Sequence, residues 1–244
     1  MTNKFTNRSL QSEMLDEPYI PEKILIQNLK ELDFINRILG GHKISLSGIE
    51  KLVTDKNKQY HLVDLGCGSG DFMKFAAQWA RKSGYQMRFT GVDKNPDAIR
   101  FLEKHCKDYP EISGVASDYK DFLKSNGSVD IVHSSLFCHH LNDEELAGLL
   151  DYMKNQLNTG FVINDLHRHW ISYYGVYLIT HLLKGSVLSK NDGPVSVLRA
   201  FKGSEFHTFL QKAGIKDYSL NWKWAFRYLV VGKSDSNPKH GKFV

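Results

Sequence analysis

The strongest constraint on the fold is one glycine-rich stretch, HLVDLGCGSGDF at residues 61–72. Apolar Leu62, Val63 and Leu65 predict a short buried strand, and an apolar face at helical spacing follows, formed by Phe72, Phe75, Ala76 and Trp79. The glycines therefore lie in a strand-to-helix turn. In a parallel sheet such a turn lies at the carboxyl edge, where open α/β folds bind their ligands.

Strands and helices are predicted to alternate from residue 60 onward, which indicates an α/β fold with a doubly wound parallel sheet. The predicted strands cover residues 60–65, 87–93, 113–117, 129–134 and 160–166. The predicted helices between them cover 71–82, 96–107 and 143–156. A further helix over 204–214 and two closing strands, 215–221 and 224–232, complete the pattern.

Two segments stand outside this alternation. Residues 1–58 form a predicted N-terminal helical segment, in which Leu25, Leu29 and Leu32 recur at helical spacing before Gly40–Gly41, and residues 59–244 form the main domain. Residues 167–200, rich in aromatic and aliphatic side chains, interrupt the main domain. This helical insertion follows a strand's carboxyl end, so it can form a lid over the ligand, or it can be an ordinary pair of buried helices.

The composition excludes several classes of protein. The net charge of +5, from 32 basic and 27 acidic residues, is interleaved along the chain, so no nucleic-acid partner is expected. The chain has three cysteines, Cys67, Cys106 and Cys138, which is an odd number and includes no C-x-x-C pair. This pattern disfavours a disulfide framework and favours a cytoplasmic protein. No signal peptide and no stretch of about 18 uncharged apolar residues is present, so no membrane span is expected.

The spacing of the glycines narrows the ligand class. Gly66, Gly68 and Gly70 follow G-x-G-x-G, whereas a dinucleotide fingerprint needs G-x-G-x-x-G and a P-loop ends in G-K-[ST]. Asp64 precedes the turn, and a carboxylate at this point repels a pyrophosphate and attracts a cation. The turn therefore predicts a positively charged ligand and disfavours a nicotinamide oxidoreductase.

Two later acids complete the prediction of the ligand. Asp93 closes the second strand, where its side chain can accept both hydroxyls of a ribose, and Asp118 follows the third strand with Tyr119 beside it. These two residues can contact the amine and the ring of an adenine. A ribose, an adenine and a cationic amino-acid tail together describe S-adenosylmethionine.

The stretches VDLGCGSG, GVDKN, ASDY and VDIVHSSLFCHHL resemble motifs I to IV of the class I S-adenosylmethionine-dependent methyltransferases, over roughly residues 60–232. The resemblance implies a seven-stranded sheet of order 3-2-1-4-5-7-6 with the last strand antiparallel, and a small-molecule methyltransferase. The cofactor-binding residues that it implies are Asp64, Gly66, Cys67, Gly68, Gly70, Asp93, Lys94, Asp118, Tyr119 and Ser134.

Within that family, SSLFCHHL resembles the ubiquinone and menaquinone C-methyltransferases and related O-methyltransferases. The stretches RSLQSEMLDEP, NDLHRH and SVLRAF are similar to a bacterial subgroup often encoded beside type III polyketide synthases. The resemblance implies a small apolar hydroxylated acceptor such as a phenol, a quinol or a polyketide-derived pyrone.

Methyl transfer from a sulfonium mainly requires alignment of the acceptor and removal of its proton, for which histidine is the usual base. The candidate bases are His139, His140 and His167, each with packing as the alternative, whereas His133 inside a strand predicts a core histidine. The candidate acceptor-binding residues are Phe137, Arg168, His169, Tyr173 and Tyr177. No bound metal is predicted, because the histidines lack H-x-x-x-H or H-E-x-x-H spacing.

Other functions stay open at this point. The same fold can methylate carbon in a quinol-type acceptor, can act on tRNA or protein, or can bind the cofactor without turnover. The stretch SSLF stands where methyltransferases of planar amines carry N/D-P-P-Y/F, which disfavours a macromolecular amine as acceptor. The sequence makes no prediction of the oligomeric state.

Overall fold

The computed structural model describes residues 4–17, 19–125, 128–182 and 185–235, so the ends of the predicted segments 1–58 and 59–244 lie partly outside it. The helices in the described residues are α1 (Glu22–Ile38), α2 (Gly41–Ile49), α3 (Asp71–Ser83), α4 (Pro96–His105), α5 (Tyr119–Ser125), α6 (Asp143–Asn155), α7 (Trp170–Leu182), α8 (Val187–Arg199) and α9 (Gly203–Lys212). The strands are β1 (Gln59–Leu65), β2 (Gln86–Asp93), β3 (Ile112–Ala116), β4 (Val129–Ser135), β5 (Leu157–Leu166), β6 (Tyr218–Lys223) and β7 (Arg227–Lys233). Two 3-10 turns cover Met14–Asp16 and Cys138–His140.

The strands form one sheet in the order β3-β2-β1-β4-β5-β7-β6. The pairs from β3 to β5 are parallel, whereas β7 runs antiparallel to both β5 and β6. This order and the antiparallel β7 confirm the predicted fold. Parallel pairing brings the carboxyl ends of β1, β2, β3 and β4 to one edge of the sheet, and this edge holds the candidate site.

The helix boundaries follow local chemistry. Helix α4 begins at Pro96, and the side chain of Asn95 accepts a hydrogen bond of 2.9 Å from the Asp97 N–H. The last two strands begin three residues later than predicted, at Tyr218 and Arg227. Residues 213–215 instead close helix α9, where Gly214 has a φ of 69° and the Ile215 N–H bonds to a carbonyl of the helix.

The N-terminal helices belong to the core of the main domain. Gly40 has a φ of 77°, which a glycine adopts readily, and it lets the chain reverse between α1 and α2. A Cβ at Gly48 in α2 would lie 2.8 Å from Val162 and 3.1 Å from Val231, so this helix packs directly on β5 and β7. Helix α1 buries Leu25 and Leu29. The predicted helix end at Gly40–Gly41 is confirmed, whereas the second helix, α2, was not predicted.

The predicted insertion forms the helix pair α7 and α8. Helix α8 is partly buried and holds the N-terminal segment, since the Asp192 carboxylate accepts the Met14 and Leu15 N–H groups at 2.8 and 2.9 Å. Helix α7 buries only Ser172 and Thr180 among its described side chains. Among the described residues, no helix combines the length and apolarity needed to cross a bilayer.

Candidate active site

A cavity of about 280 Å³ lies at the carboxyl ends of β1, β2 and β4, and a smaller cavity of about 140 Å³ adjoins it. The larger one is lined by five of the predicted cofactor residues, Gly66, Asp93, Lys94, Asp118 and Tyr119. The smaller one is lined by Asp64, Cys67 and Gly68, and also by Gly66 and Asp93. Two further predicted residues, Gly70 and Ser134, line neither cavity. We call the two cavities together the cleft.

The glycine turn shapes one wall of the cleft. Gly66 has a φ of 67°, and a Cβ there would lie 2.6 Å from the ring of Phe137. Residues larger than glycine are therefore disfavoured at position 66, because they rarely adopt this positive φ and because their Cβ would clash with Phe137. Gly70 serves packing instead, because a Cβ on it would lie 2.9 Å from Leu102 of α4.

Asp93 is fixed at the end of β2 by two backbone donors. Its Oδ2 accepts the Gly68 N–H at 3.1 Å and its Oδ1 accepts the Asn95 N–H at 2.9 Å. Burial raises the pKa of the Asp93 carboxyl, and these two donors oppose that effect. Lys94 points to the N-terminal segment, where its Nζ lies 3.5 Å from Asp16 Oδ1. Asp93 can therefore present carboxylate lone pairs to a ribose, while Lys94 is engaged elsewhere.

Asp118 and Tyr119 stand at the start of α5, beside the ring of Phe137. Asp118 Oδ1 accepts the Lys120 N–H at 2.8 Å, and the rings of Tyr119 and Phe137 pack edge to face with centroids 5.4 Å apart. The two rings offer an apolar wall to a planar ligand. Ser134 is fully buried, and its Oγ lies 3.4 Å from Cys138 Sγ, so this predicted cofactor residue faces the interior.

Asp64 is held from behind by a buried histidine. Asp64 Oδ1 lies 2.6 Å from His133 Nδ1, and His133 Nε2 lies 2.8 Å from Ser45 Oγ of α2. His133 also stacks on Phe72 with ring centroids 3.8 Å apart. The prediction that His133 is a satisfied core histidine is confirmed, and its role is to orient the Asp64 carboxylate at the edge of the cleft.

A second histidine–carboxylate pair lines the smaller cavity and was not predicted. His42 Nε2 in α2 lies 3.0 Å from Asp33 Oδ1 in α1, and both residues face the same cavity as Asp64 and Gly66. Burial lowers the pKa of His42, and the charge of Asp33 only partly opposes this effect. His42 is therefore neutral at physiological pH, and it can accept a proton.

The adjacent histidines after β4 differ in environment. His139 is only 2% exposed, and its Nδ1 lies 2.7 Å from Asp165 Oδ1. Burial by itself would lower the pKa of His139, but the charges of Asp165 and Glu13 raise it to about 10. His140 lines the cleft, and its Nδ1 lies 3.1 Å from Asp16 Oδ1. The neighbouring carboxylates thus favour the protonated form of His139.

His167 and His169 lie against the β6–β7 hairpin, and neither lines the cleft. The ring of His167 packs against Tyr228 at 4.8 Å, and that of His169 stacks on Phe226 at 5.2 Å. Burial, with nearby positive charges, lowers the pKa of His167 to about 4, and its Nδ1 is buried without a hydrogen-bond partner. The structure does not bring this candidate base together with the cofactor residues.

Arg168 is an interior anchor. Its guanidinium pairs with both carboxylate oxygens of Glu205, at 3.0 and 2.5 Å. It also donates to the carbonyls of Phe5 and Thr6, each at 3.1 Å, and to that of Ala200. With 1% of the residue exposed, Arg168 joins the N-terminal segment to α9 and does not reach the cleft.

The remaining candidates for acceptor binding divide into two groups. Phe137 lines the cleft. Tyr173 packs on Phe5, with ring centroids 5.7 Å apart, and Tyr177 stacks on His181 at 4.1 Å with 48% of the residue exposed. These two tyrosines of α7 lie outside the cleft.

Residues 62–160, which carry the glycine turn and the end of β4, match the protein family described as a methyltransferase domain. The matched stretch covers 99 of the 244 residues of this chain. An uncharacterised methyltransferase of Synechocystis sp. is 27% identical over 114 residues, which are 45% of this chain and 50% of that protein. The matched part thus spans about half the length of this curated relative.

Several solved structures share the fold of this chain. The plantazolicin methyltransferase BpumL in complex with SAH has a TM-score of 0.65 at 15% identity, covering 87% of this chain and 95% of that one. Human N-acetylserotonin methyltransferase in complex with SAM has a TM-score of 0.58 at 16% identity, covering 88% of this chain and 56% of that one. A SAM-dependent methyltransferase from Aquifex aeolicus has a TM-score of 0.58 at 14% identity, covering 88% and 99%. At these identities the comparisons show that the chain shares the fold of these proteins.

The cleft is also lined by residues that the sequence did not indicate. Leu15 and Asp16 from the N-terminal segment line it, as do His42 and Asp33 from the first two helices. The stretch SEMLDEP has no periodicity that would place it at the site. His42 lies in α2, a helix that the apolar pattern did not predict.

Proposed function

We propose that this methyltransferase domain transfers the methyl group of S-adenosylmethionine to an oxygen atom of a small apolar acceptor with a phenolic or enolic hydroxyl. The observation that carries the proposal is the placement of His42 and Asp33 beside Asp64 and Gly66, in a cavity that adjoins the one lined by Asp93. This arrangement combines a candidate cofactor site with a neutral histidine.

The cofactor is assigned by the chemistry of each contact. Asp93 accepts hydrogen bonds from the ribose hydroxyls, and the amino-acid tail lies at the glycine turn beside Asp64. The adenine lies near Asp118, Tyr119 and Phe137. The sulfonium carries the activated methyl group, so the protein has to align the acceptor oxygen with it and accept the acceptor's proton.

His42 is assigned as the base. Its pKa lies below the usual value because of burial, so the imidazole is neutral at physiological pH, and Asp33 fixes the ring through Nε2. His139 is a poorer candidate for the base, because the charges of Asp165 and Glu13 raise its pKa and favour its protonated form. His140 lines the cleft, but its Nδ1 is held by Asp16.

The acceptor is assigned as small and apolar. The cleft wall on the side of α1 and of the loop after β4 is formed by apolar side chains, namely Leu15, Leu25, Leu29, Leu136 and Phe137. Small-molecule sites are typically apolar with a few placed polar groups. The resemblance to methylases encoded beside type III polyketide synthases favours a polyketide-derived phenol, pyrone or quinol.

The cofactor is tested by calorimetric titration of the full chain with S-adenosylmethionine and, separately, with NADH. We expect binding of the first only. The variant Asp93→Asn should weaken it about 10- to 100-fold, because a hydrogen bond to a charged group is worth about 1.5–3 kcal/mol. The matched control is Asp151→Asn on the exposed face of α6, which should bind like the wild type. Absence of binding to the folded chain would contradict the proposal.

The base is tested by following isotopically labelled methyl transfer to a panel of phenols, pyrones and quinols. His42→Gln should lower kcat by about 10²- to 10⁴-fold, the usual contribution of a general base, while cofactor affinity is largely retained. His207→Gln, on the exposed face of α9, is the matched control. An unchanged kcat in His42→Gln would refute the assignment of His42 as the base. A product methylated on carbon would refute the assignment of oxygen as the atom that accepts the methyl group.

A further inference from the structure

Three metal-ligating side chains meet behind the wall of the cleft, at the contact between the N-terminal segment and the loop after β4. We propose that Glu13, His139 and His140 bind one divalent transition-metal ion, with zinc the best match to their donors. Their three ligand atoms lie within 4.8 Å of one another. Glu13 and His139 are 3% and 2% exposed, and His140 lines the cleft, so the group lies between the interior and the cleft.

The distances between these side chains are those of ligands around an ion. Glu13 Oε1 lies 3.5 Å from His139 Nε2, and Glu13 Oε2 lies 3.7 Å from His140 Nε2. Both distances exceed the range of a good N–H···O hydrogen bond. Two ligand atoms bound tetrahedrally to zinc at about 2.0–2.1 Å are about 3.3 Å apart. The two distances above involve different oxygens of Glu13, and the three ligand atoms lie within 4.8 Å of one another, so the side chains would move inward to bind an ion.

The Glu13 carboxylate is buried among cationic side chains at long ion-pair distances of 3.5–3.8 Å. Its Oε1 is buried and makes no hydrogen bond in the described part of the chain. The nearest guanidinium, that of Arg199, lies 3.8 Å from this oxygen. The N–H groups of Arg199 are directed to the carbonyls of Gln11, His139 and His140 and to the Asp16 carboxylate. A buried carboxylate oxygen is costly without a partner, and a metal ion would supply one.

Both histidines are oriented as metal-binding histidines are. His139 Nδ1 lies 2.7 Å from Asp165 Oδ1, and His140 Nδ1 lies 3.1 Å from Asp16 Oδ1. Each carboxylate fixes the ring and leaves Nε2 facing Glu13, which is the usual outer arrangement around zinc ligands. A metal ion bound at His139 Nε2 would displace the proton from that nitrogen, and the proton would be released to solvent. Asp165 is itself fixed, since it accepts the His139 and Leu166 N–H groups.

The donor set decides the class of ion. Two imidazole nitrogens and one carboxylate oxygen are typical of zinc or another first-row transition metal, whereas magnesium and calcium prefer oxygen ligands. Nearby, Asp16 and Asp165 add two negative charges, and Arg199 adds one positive charge. Lys94 lies 3.5 Å from Asp16, and Arg8 donates to the His139 carbonyl, so these two cations also face the carboxylates around the site.

The ion would tie the N-terminal segment to the methyltransferase domain. Glu13 precedes the 3-10 turn Met14–Asp16, and Leu15 and Asp16 from that turn line the cleft together with His140. The sequence predicted no metal, because the histidines lack H-x-x-x-H or H-E-x-x-H spacing. Glu13, which lies far earlier in the chain than the two histidines, was not among the candidate residues. Only the tertiary structure brings these three residues together.

The site is tested with the full chain, stripped of metal by EDTA and titrated with Zn²⁺ by calorimetry in the absence of cofactor and acceptor. We expect one ion per chain in the wild type and in His207→Gln, and at least 10-fold weaker binding in Glu13→Gln and His140→Gln. Because neither cofactor nor acceptor is present, failure of this experiment is separate from failure of the proposed methyl transfer.

Co²⁺ gives a second measurement on the same proteins. We expect the visible absorption of four-coordinate Co²⁺ in the wild type and its loss in His140→Gln, a less buried position that tolerates change if Glu13→Gln does not fold. Equal Zn²⁺ affinity in the wild type and His140→Gln, or an ion count well below one, would overturn the proposal. The buried carboxylate would then be balanced by protonated His139 alone.

Discussion

Replacing Arg168 by Met tests whether this residue anchors the fold or binds the acceptor. Arg168 lies in the interior with a two-point ion pair to Glu205 and three backbone carbonyls as further partners. Breaking a buried ion pair by removing one partner costs about 3–5 kcal/mol. The side chain of Glu205 is 31% exposed and can recover some hydration, so we expect the lower value, about 3 kcal/mol.

The assay is thermal unfolding of the full chain, followed by circular dichroism. For a chain of this size about 3 kcal/mol corresponds to a decrease in Tm of about 6–12 °C. Because Arg168 also donates to the carbonyls of Phe5 and Thr6, the N-terminal segment of Arg168→Met should be cleaved faster by trypsin. At temperatures where Arg168→Met is still folded, its affinity for S-adenosylmethionine should differ little from that of the wild type.

Two controls separate the interpretations. Arg81 makes a two-point pair with Glu111 on the surface, so Arg81→Met should change Tm far less than Arg168→Met. The double variant Arg168→Met with Glu205→Gln should lose less stability than the sum of the losses in the two single variants. The reason is that the double variant no longer contains an unpaired carboxylate at position 205. An unchanged Tm together with a large loss of kcat/KM in Arg168→Met would refute the anchoring role and restore the acceptor-binding one.

Further predictions concern packing and pH. Gly91→Ala should lower the free energy of unfolding by about 1–3 kcal/mol through overpacking, because the new Cβ would lie 2.6 Å from both Cys67 Sγ and Met73 Cε. Gly148→Ala is the control: this position in α6 has open space around it, and alanine favours a helix, so Tm should rise slightly. The pKa of His167, about 4 in the fold, lies below the ordinary value near 6.5 in the unfolded chain. Unfolding therefore takes up a proton in this window, so the stability present above pH 6.5 falls as the pH is lowered towards about 4. In His167→Asn the unfolding free energy should fall by about 1 kcal/mol less over this pH range than in the wild type. Urea unfolding at several pH values measures this difference. The same pH dependence in the variant and the wild type would contradict the lowered pKa of His167.

The sheet and its ligand edge were predictable because they rest on local patterns. The strand before Gly66, the helix after Gly70 and the position of Asp93 at the end of β2 all follow from apolar periodicity and from residues a few positions apart. The end of the first helix at Gly40–Gly41 followed from the same kind of local pattern, whereas the second helix, α2, which begins directly after it, was not predicted.

The roles of individual polar side chains depended on contacts across the chain. Arg168 and His169 are adjacent in sequence, yet Arg168 lies in the interior against Glu205 and His169 stacks on Phe226. His139 and His140 are adjacent as well, and they meet different carboxylates, those of Asp165 and Asp16. A sequence pattern reports the residue type but not the charge that faces it after folding.

The sequence by itself determined the order of the elements, the glycine turn and the acid at the end of β2, because backbone conformation and strand burial are set by neighbouring residues. Only the tertiary structure decided which histidine is neutral, which is protonated and which three side chains can hold an ion. Those properties depend on burial and on carboxylates brought in by α1 and by the N-terminal segment. Electrostatic effects act through space, and the chain separates in sequence the groups that the fold places a few ångströms apart.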